Sequence, residues 1–493
     1  MKVVLISMPD IAPIMLHEKA IHMPNHGIAC VGGNIDERHD VYLIDLVRKR
    51  SSIKKYLVRA LNKIKPDIIG LSVMTWQYDT CVRLIRLIKT ILPDVSIVLG
   101  GYHATLMAEE IAASADAVHI DFIVRGEGEI AFRRLVNALD GQDNVADIPS
   151  LSYKQGSTFV HNERAAVCDL SSLRPPIRDQ RRLTWGYHFI FNKIEVMETS
   201  RGCTRDCNFC SMRHMYDRSY RTYPIGRVMD DLDYIYRIKK TRMIFLVDDN
   251  LLLNPKWVDE ICEAIIKRGY RDLNLIVQSD CISIVKNEAM VRKMSRAGFR
   301  GMFLGIENVS ANHLEALGKA DVANVSRRAI EICHQNGIMV IGGAIFGLPD
   351  DDGEAIRKNY FFLKSIDIDA FYCQILTPYP MTTLRQNLLQ EGLVADPAEY
   401  WKYNGLWANV RTRHLSAEDL QYFFWYYRQT IIGWWTPSVF IRNQSLRLMS
   451  VWQHILKPLM RFFFERKVHR IGWEGLYKNE MEHLRRMNMF DDL

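Results

Sequence analysis

The sequence predicts an α/β chain with a doubly wound parallel sheet over residues 1–140 and a connector over 141–190. A partial barrel follows over 191–390 and a mainly helical extension over 391–493. Three observations predict this order. Short apolar runs alternate with amphipathic stretches in the first and third segments, as expected of strands covered by helices on both faces. Gly141, Pro149, Gly156 and Pro175-Pro176 break that periodicity between the two segments. After residue 390, aromatic clusters and basic residues replace the alternation.

At 493 residues the chain exceeds one ordinary domain, and 48% hydrophobic with 25% charged residues suits a globular protein with ample core. A net charge of +7 is small for this length, so nucleic acid is not an expected partner. No stretch approaches the roughly 18 consecutive apolar residues of a membrane-spanning helix. The start, MKVVLISMPD, has an apolar run too short for a secretory signal. The ten cysteines show no paired spacing outside one triplet, so a reducing, cytoplasmic location is expected.

In the first segment, strands are expected at 3–6, 41–44, 68–73, 96–99 and 122–124. Between them, 78–92 places Cys81, Leu84, Leu87, Ile88 and Ile91 at helical spacing. A Rossmann-like sheet of this kind binds ligands at the carboxyl ends of its strands. Ser72 and Met74 follow the third strand and Gly100-Gly101 the fourth, while Arg125-Gly126-Glu127-Gly128-Glu129 follows the fifth. The missing side chains of a glycine pair let a flat ligand approach the backbone, though such a pair is also common turn chemistry. His26 and His103 fall near these loops and are read as surface or capping residues, not metal ligands. The connector reads as a hairpin around Gly156.

In the third segment, strands are expected near 194–199, 243–247, 273–278, 301–305, 338–345 and 369–376, with helices such as 226–239, 255–268 and 323–335 between them. Six units fall short of a complete eight-unit TIM barrel and predict a partial (β/α)6 TIM-like barrel with chemistry at the carboxyl ends of its strands. The loop after the first strand reads ETSRGCTRDCNFCSMR, with Cys203, Cys207 and Cys210 spaced C-x-x-x-C-x-x-C. Three thiolates can hold three irons of a four-iron cluster and leave the fourth open to a small molecule. A closed zinc site would want four ligands in pairs, and no second pair is nearby. Asp248-Asp249-Asn250 follows the second strand, Gln278-Ser279 the third and Gly305-Ile306-Glu307 the fourth. The sixth strand ends in ThrProTyrProMetThrThr.

This cysteine loop, after the first strand of a partial barrel, resembles that of the radical S-adenosylmethionine (SAM) superfamily. The glycine-bearing α/β segment ahead of it resembles the cobalamin (B12)-binding domain of one large branch of that superfamily. Motifs cover 194–384 in the expected order. The resemblance implies a [4Fe–4S] cluster on Cys203, Cys207 and Cys210, with SAM held at the open iron. It also implies cobalamin in the first domain, with Ser72, Gly100 and Gly101 lining the slot for its nucleotide tail and Gly126 in the adjoining loop. The branch's serine-x-leucine reads SerValMet at 72–74, and the cobalt-ligating D-x-H-x-x-G motif is absent. Phe209 resembles the aromatic packed near adenine, and otherwise reads as a hydrophobic anchor. Asp248 and Asp249 stand where many members carry a glycine-glycine-glutamate that meets the methionine ammonium; one of them also reads as a cap for the next helix. Gln278 and Ser279 are implied to meet a carboxylate or ribose, and Glu307 a ribose hydroxyl pair or the ammonium. The sixth-strand end is close to a P-x-x-G-T pattern, with Met381 in place of the glycine.

The implied chemistry is reductive cleavage of SAM to a 5′-deoxyadenosyl radical, with methyl transfer from cobalamin to an unactivated carbon. A large apolar or lipid-like small molecule is the expected substrate, and flavodoxin or ferredoxin the expected external electron donor. Radical cyclisation, ring contraction or carbon–carbon coupling stands second. A transfer-RNA methylthiotransferase is disfavoured, since that class carries a second cysteine triplet and Cys30 and Cys81 stand alone. The tail carries PhePheTrpTyrTyr at 423–427, Trp434-Trp435 and a basic apolar pattern from about 445 to 470. That pattern suits either packing across the barrel mouth or peripheral membrane contact.

Overall fold

The apolar runs of the first 124 residues form a single sheet. Its strands are β1 (Lys2–Ser7), β3 (Asp40–Asp45), β4 (Ile68–Ser72), β5 (Ser96–Gly100) and β6 (Phe122–Val124), in the spatial order β3-β1-β4-β5-β6. All pair in parallel, and the strand order reverses between β1 and β4, the place where doubly wound sheets open a ligand crevice. The computed structural model describes every residue except 12–20, 183–185, 190–191, 320–322, 433–446 and 491–492. The chain divides into two compact units, 1–204 with 211–242 and 487–493, and 205–210 with 243–486.

In the first unit, Val3, Leu5, Ile68 and Val98 pack beneath Ile28, Ala29, Phe132, Leu135 and Val136, which come from helices His26–Asn34 and Gly128–Leu139. Asn25 starts the former by accepting from Ile28 N at 3.0 Å. Helix Tyr78–Ile91 buries Cys81, Leu84, Ile85 and Ile88 at i, i+3, i+4 and i+7, while Leu87 and Ile91 of the expected stripe are half-buried. The hairpin expected in the connector is the edge of this sheet. β7 (Leu151–Gln155) pairs antiparallel with β6, and β8 (Thr158–His161) pairs with β7, turning at Gly156 with φ +67°. β2 (Ile21–His22), β9 (His188–Phe189) and β10 (Asn192–Met197) pair antiparallel in that order, and β11 (Ser200–Arg201) pairs with β12 (Arg221–Thr222).

Asp10, just past β1, is buried. Thr80 Oγ1 donates to one of its oxygens at 2.7 Å, and the other has no partner among the described residues. Burial raises its carboxyl from 3.8 to about 7, against the Thr80 hydrogen bond, which lowers it. The folded chain therefore keeps a proton that the unfolded chain releases between pH 3.8 and about 7, and stability falls as pH rises through that window. Asp10→Asn keeps the acceptor for Thr80 and removes the ionisation. It is expected to raise stability by roughly 2 kcal/mol at pH 8 and by less at pH 5, read from denaturant melts at the two pH values.

The partial barrel is present. In the second unit β13 (Met243–Leu246), β14 (Asn274–Ser279), β15 (Phe299–Glu307), β16 (Met339–Phe346) and β17 (Ala370–Ile375) pair in parallel and in sequence order. The first of the six expected strands, β10, belongs to the first unit. Helices Pro255–Arg268, Glu288–Arg296, Ala323–Gln335 and Gly353–Ser365 alternate with the strands. One face of this sheet is closed by Val277, Met302, Leu304, Ile306 and Val340, whereas Gln278, Phe303, Ile341 and Tyr372 on the other face are half-buried.

The tail contains helix Ala417–Tyr427 and a helix over Arg447–Met487 interrupted at Gly472. Trp434, Trp435 and Leu446 lie outside the described residues, as do the side chains of Leu448, Trp452, Ile455, Leu456 and Lys457. Among the described residues, no helix is long and apolar enough to cross a membrane.

Candidate cofactor sites

At the carboxyl end of the first sheet, Ser7, Ser72 and Gly100 lie level, since Ser72 is in register with both of the others. Gly101 adopts φ +94°, and a Cβ there would meet Val73 O at 2.8 Å and Val73 N at 2.9 Å, so only glycine fits. A Cβ on Gly100 would meet nothing closer than Val124 O at 3.9 Å, so the lack of a side chain leaves free space above the sheet end. Gly126 turns with φ +75°, its N–H donating to Thr105 Oγ1 at 2.9 Å. An open glycine edge of this kind fits a flat ligand lying against backbone. His103 is neither a surface nor a capping residue: it is buried against Tyr78, ring centroids 4.3 Å apart, and burial lowers its imidazole to about 3. His26 is the first residue of its helix, with Nε2 3.2 Å from Cys30 Sγ, and burial likewise lowers it to about 3.

A charged network that no local motif reveals lies beside this edge. Arg201, its side chain 6% exposed, donates to Glu127 at 2.8 Å, Glu129 at 2.9 Å, Glu198 at 2.8 Å and the Tyr223 hydroxyl at 2.8 Å. Tyr223 in turn donates to Glu198 at 2.8 Å, and Arg221 adds two bonds to Glu127 at 2.9 and 3.0 Å. Burial would raise the Glu198 carboxyl, but Arg201, His26 and the Tyr223 hydroxyl together hold the group below its ordinary range. One guanidinium thus joins the loop after β6 to the segment that enters the cysteine triplet two residues on.

Cys203, Cys207 and Cys210 are half-exposed, whereas Cys30, Cys81, Cys262, Cys281, Cys333 and Cys373 are buried. Burial holds the thiols of Cys30, Cys81, Cys262 and Cys333 above their ordinary range. The part of the loop in the second unit is fixed by backbone bonds. Asn208 N donates to Leu317 O at 3.3 Å, Leu384 N to Asn208 O at 3.1 Å and Cys210 N to Cys207 O at 3.2 Å. Gly318, with φ +69°, lets the chain pass Asp206 O, which a Cβ would meet at 3.1 Å.

Glu307 ends β15 with φ +65°, at a register shift against β16, and its Oε1 lies 2.6 Å from Lys319 Nζ. A non-glycine residue held in that conformation stores strain, which persists only where the surroundings impose it. Lys319 also sits 6.0 Å from the centroid of the half-buried Phe209 ring. Burial pulls its ammonium down, while Glu307 and Cys207 outweigh this and keep it raised. The structure therefore joins Phe209, Glu307 and the cysteine loop through a lysine that the strand-end motifs did not reveal. Its only sequence signal is a glycine-lysine pair after an amphipathic turn.

Asp248 is fully buried after β13, and Asp249 follows it half-buried. Neither caps the next helix; Asn254 does, accepting from Trp257 N at 3.2 Å. Asn250 instead donates to Asp280 at 2.9 Å, and Asp280 also accepts from Arg205 of the cysteine loop at 3.0 Å and from Ser283 N at 2.8 Å. Gln278 and Ser279 lie on opposite faces of β14, because adjacent strand residues alternate in direction. Gln278 is on the half-open face, in register with Phe303, while Ser279 is buried with a hydroxyl that has no partner among the described residues. Met381 adopts φ +61° and is exposed, which explains why the related pattern has glycine there. Met381→Gly is expected to stabilise the chain by about 1 kcal/mol, measured by denaturant melts.

Comparison with known proteins identifies the two segments. Residues 15–136 match the B12 binding domain model, and residues 197–363 match the Radical SAM superfamily model. The chain is 27% identical over 445 residues to an uncharacterized methyltransferase of Pyrococcus horikoshii, covering 90% of this chain and 94% of that one. It is 28% identical over 456 residues to the anaerobic magnesium-protoporphyrin IX monomethyl ester cyclase of Rubrivivax gelatinosus, covering 89% of this chain and 78% of that one. Among solved structures it resembles the radical SAM methyltransferase TsrM of Kitasatospora setae, with TM-score 0.64 and 18% identity over 79% of this chain and 75% of that one. At that identity the likeness speaks for the fold. A [4Fe–4S] cluster, SAM and cobalamin are the typical cofactors of this family. The chain is a radical SAM enzyme with a B12-binding domain ahead of its partial barrel, and it belongs to the cobalamin-dependent branch of that superfamily.

Proposed function

We propose that this enzyme transfers a methyl group to an unactivated carbon of a large apolar or lipid-like small molecule. The observation that carries the reading is one chain holding both an open glycine edge, at the end of a B12-binding sheet, and a half-exposed cysteine triplet. Its similarity to a methyltransferase over nearly its whole length supports the same reading. When bound, the cluster and SAM supply a carbon-centred radical and methylcobalamin supplies the methyl group.

The chain's own residues then have distinct tasks. Cys203, Cys207 and Cys210 hold three irons. Lys319 offers a cation for a carboxylate, and Glu307 an anion for an ammonium or a ribose hydroxyl pair, each neutralising the other until a zwitterion is present. Phe209 gives an aromatic surface for a base, while Asp248, Asp249 and Gln278 offer further polar contacts. Ser279, buried with the opposite strand parity, takes part through the wall of the site. Ser72, Gly100, Gly101 and Gly126 give the corrinoid a backbone edge. Phe303 and Tyr372, rings edge to face at 4.9 Å on the half-open side, suit an apolar substrate. An external flavodoxin or ferredoxin supplies electrons.

A second reading, radical cyclisation without methyl transfer, draws on the similarity to the ester cyclase. Incubating reduced, cofactor-loaded enzyme with deuteromethyl-SAM and a lipid and tetrapyrrole extract separates the two. Methyl transfer predicts a product carrying the deuteromethyl group. Substrate consumption with formation of 5′-deoxyadenosine and no label in the product would put cyclisation first.

A further inference from the structure

The outward face of the C-terminal helix is not accounted for by either cofactor site, and we propose that it docks on an anionic lipid membrane. The helix is held to the second unit by its later half. Trp473 packs at 5.0 Å from Tyr426 and 6.0 Å from Trp425, Leu476 and Leu484 are buried, and Glu480 accepts from Trp425 Nε1 at 2.8 Å. Before the break at Gly472, three large apolar side chains among the described residues lie exposed instead. Leu459, Phe462 and Phe463 are 51%, 52% and 58% exposed.

Helix geometry sets which side these residues occupy. At about 100° per residue, Leu459, Phe462, Phe463, Arg466 and Arg470 share an arc of about 100°. Phe464, Val468 and Ile471 fall on the opposite side, where Phe464 meets Trp473 at 5.8 Å and the other two are half-buried. The outward arc therefore begins with three large apolar side chains and ends with two arginines. Arg466 lies 5.6 Å from the Phe462 ring, and Arg461 is paired with Glu465 at 2.8 Å off this arc. Over residues 459–470 four Lys or Arg side chains face one carboxylate.

Charge selects the occupant. A second copy of the helix would bring two positive faces together, which repel. An anionic bilayer takes phenylalanine and leucine into the region below its headgroups and pairs the arginines with phosphates and carboxylates, their stems lying along the apolar boundary. No pocket is needed for such binding. The arrangement also places a chain that selects an apolar substrate against the phase in which such molecules dissolve.

The test is co-sedimentation of the full chain with large unilamellar vesicles, either phosphatidylcholine alone or phosphatidylcholine with phosphatidylserine. At low salt the native chain is expected to pellet with the phosphatidylserine vesicles, and raised salt is expected to release it. F462S/F463S and, separately, R466E/R470E are each expected to lower the partition coefficient at least about tenfold. Both variants change exposed positions, so circular dichroism and SAM cleavage are expected to match the native chain. Equal pelleting of native and variant chains would overturn the proposal, as would failure of the native chain to pellet at low salt. It would equally be overturned by a native dimer in light scattering that F462S/F463S dissociates, because the face would then belong to a second copy.

Discussion

Replacing any one of Cys203, Cys207 and Cys210 by alanine is expected to abolish reductive SAM cleavage and leave the chain folded. All three thiols are half-exposed, so removing a sulfur costs little buried contact. The loop's conformation is set elsewhere, by the Asn208, Leu317 and Leu384 backbone bonds and by the turn at Gly318. Three ligands also leave no redundancy. Among the described residues, the other cysteines are buried, apart from the half-exposed Cys168, whose thiol burial pushes up to about 12. The measurement is 5′-deoxyadenosine formation by anaerobically reconstituted variants under reductant, beside their melting temperatures. Cleavage persisting in any of the three would remove that cysteine from the ligand set.

A second large effect is expected at Arg201. Its replacement by alanine leaves Glu127, Glu129 and Glu198 buried together, with Arg221 and Cys168 N still reaching Glu127 and the Tyr223 hydroxyl still reaching Glu198. Breaking a buried pair by removing one partner costs about 3–5 kcal/mol, since the remaining charges lose their neutralising group. Arg201→Lys is expected to recover little, because an ammonium does not reproduce the fork that meets three carboxylates and a hydroxyl at once. The lost anchor lies two residues before Cys203, so iron content after reconstitution is expected to fall together with melting temperature. Arg201→Ala with native stability and full iron content would show the network to be incidental.

The two effects differ in how far the sequence foretold them. Strands were legible because each is a short apolar run bounded by helical spacing. The triplet was legible because its spacing is local. The glycine pair stands out in the sequence, and at Gly101 the backbone supplies a reason: φ +94° and no room for a Cβ. Arg201 was not legible, since its partners Glu127 and Glu129 lie 74 and 72 positions earlier and nothing local joins them. Lys319 was hidden in the same way, reaching Glu307 only through a turn of the fold. Gln278 and Ser279 are neighbours in sequence whose directions differ, because strand parity separates them. The hairpin of the connector was recognised as a hairpin, yet only pairing with β6 makes it a sheet edge.

The most direct test of the central claim, that one chain carries both a three-cysteine cluster and a corrinoid, is the cofactor content of the anaerobically reconstituted full-length protein. Iron, sulfide and corrinoid are measured together after incubation with iron, sulfide and hydroxocobalamin and removal of the excess. The expected result is about four irons and about one corrinoid per chain. A chain that assembles the cluster yet retains no corrinoid, or retains corrinoid yet shows no cluster spectrum, would contradict it.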